Sequence, residues 1–216
     1  MPSASEVGAD SAWWQCLAVD AERTPVWFAV VGSGRHPAGT RVELLSEAAD
    51  REVGDDAACV ASFDPGGEVA GLRLGPRSAP PGLAVWFAEY RETNSAPPAV
   101  SLMAFAGHGL AGGLLVGRVE LAELPIGKSD QLGAVRWYPA TGEVDQIYVH
   151  PDFRRRRLGS GLVAAAAALS YARGWPRLWS DGQRTELGER FRNASPWRQR
   201  TAQLTHVVRP MTPGEA

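Results

Sequence analysis

Lysine is almost missing from this 216-residue chain: of its 22 basic residues only Lys128 is one, and the other 21 are arginines. Together with the wealth of Ala and Gly, that bias points to a genome rich in G and C and leaves function untouched. Cysteine is nearly as scarce. Cys16 and Cys59 are too few for a disulfide scaffold and lack the paired spacing of a zinc site, so both read as small buried residues and no metal is implied. A large charge of one sign is absent too; the net charge of −2 disfavours a general nucleic-acid binder, which carries a basic patch and a high domain pI. No apolar run approaches the ~20 residues of a spanning helix. The N-terminus MPSASEVGAD is polar and acidic where a signal peptide is basic and then apolar, so the expectation is a soluble cytoplasmic protein with no membrane partner. Repeats of fixed period and long low-complexity linkers are also lacking.

Enough apolar sequence remains for a core. Hydrophobic residues make up 44% and charged residues 21% of the chain, close to globular averages of roughly 45–50% and about 25%. The length suits one elaborated domain or a compact domain with a smaller companion. In the first half, "VWFAVV" at 26–31, "ACVASF" at 58–63, "VAGLRL" at 69–74 and "LAVWFAEY" at 83–90 have the β-branched and aromatic content of strands closed by Gly, Pro or Asp. Residues 41–53 predict a helix from the spacing of Val42, Leu45 and Ala49. Trp13, Trp14, Trp27, Trp86 and Phe87 read as core. Consecutive prolines in "NSAPPAV" at 94–100 mark a boundary, giving a β-rich region over 1–95, a candidate acceptor-binding part, and a second domain over 96–216.

In that second part "AVSLMAFAG" and "LAGGLLVGRVELAEL" predict two strands, and "LGAVRWYP" with "EVDQIYVH" a hairpin around "ATG". From Gly159 the period changes. Leu162, Ala165, Ala166, Leu169 and Ala172 form one helical stripe, closed by Gly174 and Pro176. "RLWS" at 177–180 follows, so the unit is strand, arginine turn, helix, strand: a βαβ crossover. The turn "RRRRLGSG" places Arg154, Arg155, Arg156 and Arg157 where a helix starts. A helix N-terminus offers unpaired N–H groups and about half a positive charge, and glycines let an anion approach the backbone. Phosphate or pyrophosphate fits such a site. The spacing is neither G-x-x-x-x-G-K-[ST] nor G-x-G-x-x-G, which disfavours a nucleoside triphosphatase or a Rossmann site.

"RRLGSG", with Arg156, Gly159 and Gly161, matches the [RQ]-x-x-G-x-[GA] loop of the GNAT superfamily of N-acetyltransferases, and "IYVHPDFRRR" resembles that family's strand and basic turn. The resemblance covers about residues 100 to 195. It implies an α/β (α+β) fold with a mixed, splayed β-sheet and flanking helices, here joined to the β-rich N-terminal region. By that likeness acetyl-CoA is the co-substrate. Its pantetheine would pair with the backbone of the strand at Ile147, Tyr148 and Val149, and its pyrophosphate would lie on Arg154 to Arg157, Leu158, Gly159, Ser160 and Gly161. Ser180 and Arg184 are further candidates near the thiol, with an alternative reading for that region as ordinary helix capping around Thr185.

Transfer of an acetyl group to an amine needs that amine neutral, and an alkylamine has a pKa near ~10, so a base must take its proton. Alternation places Glu143, Asp145, Ile147 and Val149 on one face of the strand. Glu143 resembles the family's base glutamate, with Asp145 the second candidate. In the helix "TELGERFRNA" Phe191 falls near the place where many family members carry a tyrosine that protonates the leaving thiolate, a departure from the family pattern. Phenylalanine cannot donate a proton, so solvent would serve a thiolate whose parent thiol pKa is near ~8.5. The implied activity is direct transfer to an amine, small-molecule, peptide or protein. A catalytically silent acyl-CoA-binding scaffold is the alternative, and a third reading has Arg154 and Arg155 steer a polyanionic acceptor. A homodimer is compatible with the sequence.

Overall fold

The computed structural model describes residues 13–19, 25–31, 40–44, 57–64, 68–76, 78–194 and 201–207. Five strands come first: β1 (Trp13–Val19), β2 (Pro25–Val31), β3 (Thr40–Leu44), β4 (Ala57–Phe63) and β5 (Val69–Leu74). They form one sheet in the order β3-β2-β1-β4-β5, parallel between β1 and β4 and antiparallel elsewhere. The helix expected from residue 41 is corrected at its start. Thr40 to Leu44 pair with β2 from Val31 to Trp27, and backbone committed to that ladder cannot also form helical bonds; the rest of the segment lies outside the described residues.

A second sheet runs in the order β10-β9-β7-β6-β8. Its members are β6 (Val85–Glu92), β7 (Ala99–Ala106), β8 (Leu115–Val116), β9 (Gly133–Tyr138) and β10 (Glu143–Val149). β6 and β7 are antiparallel from Val85↔Ala106 to Glu92↔Ala99. The proline-rich stretch at 94–100 therefore turns a hairpin within one sheet, and the division drawn at 95/96 falls inside that hairpin. Residues 110–124, expected as one strand, keep only β8 and then coil into α1 (Arg118–Glu123). Leu121 and Leu124, one turn apart, pack on the cluster of Trp86, Ala88, Phe105 and Val116 while Val119 stays 72% exposed, a helical and not an alternating pattern.

The two sheets are stitched together by residues 113 and 114. Gly113 O accepts from Leu72 N–H of β5 (2.6 Å), and Gly113 N–H donates to Val85 O of β6 (2.7 Å). Gly113 sits at φ +86°, where a Cβ would stand 3.1 Å from the Arg73 backbone, so glycine is required at this close approach.

Across both sheets lies α2 (Leu158–Ala172). Cys59, Ala61 and Leu72 from the first sheet share one core with Phe87, Leu102, Val135 and Trp137 from the second and with Leu162, Ala165 and Leu169 of the helix. Burial is wider than the single expected stripe, for Ala164, Ala168 and Ser170 are buried as well. Alanines let two layers approach the same helix closely while keeping the best helix propensity. Gly174, at φ +67°, ends it as expected. Among the described residues no helix is long and apolar enough to cross a membrane.

Candidate active site

After α2 the chain returns beside β10, but among the described residues it pairs there only once. Val144 N–H donates to Trp179 O (2.8 Å) and Trp179 N–H to Gly142 O (3.0 Å), a single parallel bridge between Glu143 and Trp179. Beyond it the partners differ. Ser180 bridges Thr201, and β11 (Gln183–Arg184) pairs with β12 (His206–Val207), so the expected second strand leaves β10 after one contact. Strand pairing on this edge of β10 thus stops at Glu143/Trp179, the vertex of the site, and among the described residues no strand pairs with the edge from there to Val149.

A β-bulge stands at the vertex. Val144 opposes Trp137 and Gln146 opposes Arg136, leaving Asp145 as the extra residue. Bulges bend a strand and raise its local twist, which turns β10 away from its neighbour at that point. The bulge also corrects the expected sharing of one face by residues 143, 145, 147 and 149. Ile147 and Val149 oppose Val135 and Gly133 on the helix side, whereas Glu143 opposes Tyr138 and Asp145 bonds to Arg136 and Tyr138 on the other face.

Past the bulge, His150 N–H donates to Leu132 O on the β9 side (2.8 Å). Strand alternation then points the Gln146 and Tyr148 N–H groups toward β9 and those of Ile147 and Val149 at the open edge. Arg154 Nε donates to the edge carbonyl of Val149 (3.1 Å). Ile147 is 38% exposed, and the Tyr148 side chain lies on the opposite face, across from Ala134.

The open edge leads to the start of α2. Arg157, the residue before the helix, is left-handed at φ +63°, and Arg155 is left-handed at φ +57°. Neither is glycine, so each conformation costs of order 1–3 kcal/mol and is held by its surroundings. Arg157 Nη1 anchors one of them on Pro76 O (3.2 Å). Among the described residues no side chain caps α2, and its first internal bond is Gly161 N–H to Arg157 O (2.9 Å). The N–H groups of Leu158, Gly159 and Ser160 thus head the helix without an intrahelical acceptor. Leu158 sends its side chain into the core at 1% exposure. Gly161 is there for packing: a Cβ would stand 2.8 Å from Leu74 Cδ1 and from Ser78 O. Gly159 faces Phe191 Cε2 and Val149 Cγ2 at 3.4 and 3.6 Å from its Cβ position, so α3 (Glu186–Ala194) flanks the cradle through Phe191.

Two expected cofactor residues are otherwise engaged. Arg184 Nε donates to Glu189 (2.9 Å), Nη2 to Ala202 O (2.7 Å) and Nη1 to Asp181 O, tying α3 to the 201–207 segment. The hydrogen bond from Arg184 Nε holds the Glu189 carboxyl below its ordinary value. Ser180 Oγ donates to Asp181 O (3.3 Å), and Thr185 caps α3 by accepting from Gly188 N–H (3.0 Å). His150 Nδ1 accepts from Asp152 N–H (3.4 Å), a turn role.

The vertex carries charge that sequence reading passed over. Arg136 Nη1 donates to Asp145 Oδ2 (2.6 Å), Tyr138 OH to Asp145 Oδ1 (2.9 Å), and Arg136 Nη2 to Glu92 Oε2 (3.0 Å). Ser101 Oγ adds a bond to Glu92 Oε1 (2.8 Å). Hydrogen bonds from Arg136 pull the Glu92 carboxyl below its ordinary value, and those to Glu92 and Asp145 raise the Arg136 guanidinium. The only signal in the sequence was an arginine alternating with Val135 and Trp137. Glu143 differs from Asp145: it is half-buried beside the vertex, and no described residue donates to its carboxylate.

A family model described as Acetyltransferase (GNAT) family matches residues 77–187, just over half of the chain. No curated protein and no solved structure gives a match.

Proposed function

The chain belongs to the acetyltransferase (GNAT) family, and from that premise we propose that it transfers an acetyl group from acetyl-CoA directly to an amine. The observation that carries this reading is the continuity of the site. A strand edge left open beyond a single parallel bridge runs into a helix start with no side-chain cap and four arginines that meet no carboxylate among the described residues. Acetyl-CoA fits that track because its pantetheine amides can pair with strand backbone and its pyrophosphate with helix N–H groups and guanidinium charge. When bound it supplies an activated thioester acetyl group.

The chain's own residues then divide the work. Ile147 and Val149 offer edge backbone for pairing; Leu158, Gly159 and Ser160 offer N–H groups, with Arg156 beside them. Ile147 N–H, the first edge donor beyond the bulge, is available to an oxygen that gains negative charge. Glu143 takes the proton from the acceptor amine, since its carboxylate is unencumbered while both oxygens of Asp145 already accept bonds. The acceptor approaches over the polar face of β9 and β10, away from α2.

Kinetics of Glu143→Gln against a broad panel of primary amines test this. General bases contribute roughly 100-fold or more, so kcat should fall by about that factor while acetyl-CoA binding persists. Unchanged turnover in the variant would remove Glu143 from the mechanism. Tight acetyl-CoA binding with no turnover of any amine by the wild type would instead favour a silent acyl-CoA-binding scaffold, the reading that Phe191 beside Gly159 keeps alive.

A further inference from the structure

We propose that Arg136 is a positioning residue that sets the opening of the cofactor cleft from the opposite face of the sheet. The inference rests on the acetyl-CoA reading for its ligand, though not for its mechanics. Its starting point is the bulge. Asp145 is the one residue of β10 without an opposing partner on β9, and it sits between the last closed pair, Val144 with Trp179, and the first open edge position, Ile147. Whatever fixes Asp145 therefore fixes the angle at which β10 leaves its neighbour.

What fixes it is a clamp across four strands. Tyr138 of β9 grips one carboxylate oxygen and Arg136 of β9 the other, at 2.9 and 2.6 Å. Arg136 is itself held from β6, two strands away, by Glu92, which receives Nε at 3.1 and 3.2 Å and Nη2 at 3.0 Å. Ser101 of β7, opposite Arg136 in register, braces Glu92. Ring stacking adds to this, with the Arg136 guanidinium 5.3 Å from the Tyr138 ring centroid. A planar guanidinium is the side chain that can bind two carboxylates in fixed directions at once; lysine, a point charge, cannot. The side chains of Arg136 and Glu92 are each 24% exposed and that of Asp145 34%, so the clamp is partly screened from water, and it sits off the track assigned to the cofactor.

Binding at the edge then depends on a charge pair that does not touch the ligand. The clamp also explains why a carboxylate at the vertex need not be a base: Asp145 is a strut. Removing the acceptor should matter, and keeping an acceptor without its charge should matter less.

Acetyl-CoA titration by calorimetry with wild type, Arg136→Gln, Asp145→Ala and Asp145→Asn tests the proposal, together with hydrogen exchange of the ligand-free proteins. We expect Kd to rise at least tenfold in Arg136→Gln and Asp145→Ala, and no more than about threefold in Asp145→Asn, whose amide oxygen still accepts from Arg136. Exchange should accelerate over 143–149 and 177–181 in the first two variants and elsewhere stay as in wild type, a pattern that general destabilisation would not give. Equal Kd and equal exchange in all four proteins would overturn the clamp. Should Arg136→Gln fail to fold, the contrast between Asp145→Ala and Asp145→Asn decides alone. A wild type that does not bind acetyl-CoA would contradict the function proposed above, and the exchange pattern would still judge the clamp.

Discussion

The arginines at 154–157 and those at 136, 173 and 184 carry the same side chain in opposite circumstances. Arg136, Arg173 and Arg184 each face carboxylates: Glu92 and Asp145, Glu89, and Glu189. The four of the turn are exposed, and none has an ion pair among the described residues. They bond backbone carbonyls, as Arg154 and Arg157 do, or lie over a ring, as Arg156 does over Phe153 at 5.6 Å. Positive charge left without a carboxylate beside an uncapped helix start is available to an anion from solution. Charge already neutralised inside the fold is holding the fold.

That contrast should break most visibly in one matched substitution. Arg173 Nη1 and Nη2 chelate Glu89 at 2.6 and 2.7 Å, tying the end of α2 to β6, and Glu89 is only 8% exposed. Arg173→Ala leaves a buried carboxylate with Arg91 alone, and breaking such a pair costs about 3–5 kcal/mol, readable as a lowered urea midpoint. Arg156→Ala in the turn should move the same midpoint by no more than about 0.5 kcal/mol.

A subtler effect follows from pH. Burial alone would raise the Glu89 carboxyl, but the hydrogen bonds and charges of Arg173 and Arg91 outweigh it and hold the group below its ordinary value of 4.5. A carboxyl depressed on folding contributes stability that is complete above the unfolded value and is lost as pH falls through the folded one. Urea midpoints should therefore decline as pH drops below about 4.5, and Glu89→Gln should flatten that decline; an equal slope in both proteins would assign the acid sensitivity elsewhere.

The same division explains what could be read in the sequence. The turn was legible because its chemistry is local: glycines, arginines and a change of period from two to 3.6 lie within about twenty residues. Strands β9 and β10 and helix α2 were legible for the same reason, each carrying its own pattern. The clamp was not, because Glu92, Ser101, Arg136 and Asp145 come from four strands and meet only through register. The bulge at Asp145 shifted the faces of β10, and simple alternation has no way to announce an extra residue. Arg184 looked like a cofactor contact by position, yet its partners Glu189 and Ala202 lie in segments whose folding back no local pattern reveals. Helix α1 was missed because six residues give less than two turns of periodicity.

Thermal stability titrated with acetyl-CoA tests the central claim most directly, comparing wild type with an Arg156→Ala, Gly159→Asp double variant. Aspartate at the first turn suits the helix dipole and has room at the Gly159 position, where the nearest atom is 3.4 Å away, but it repels a pyrophosphate. At ~100 times its dissociation constant acetyl-CoA should stabilise wild type by about 2.7 kcal/mol, and the double variant, equally folded without ligand, should show no shift. A folded wild type that acetyl-CoA does not stabilise, or a double variant that it stabilises equally, would contradict the assignment of this turn as the cofactor's anion site.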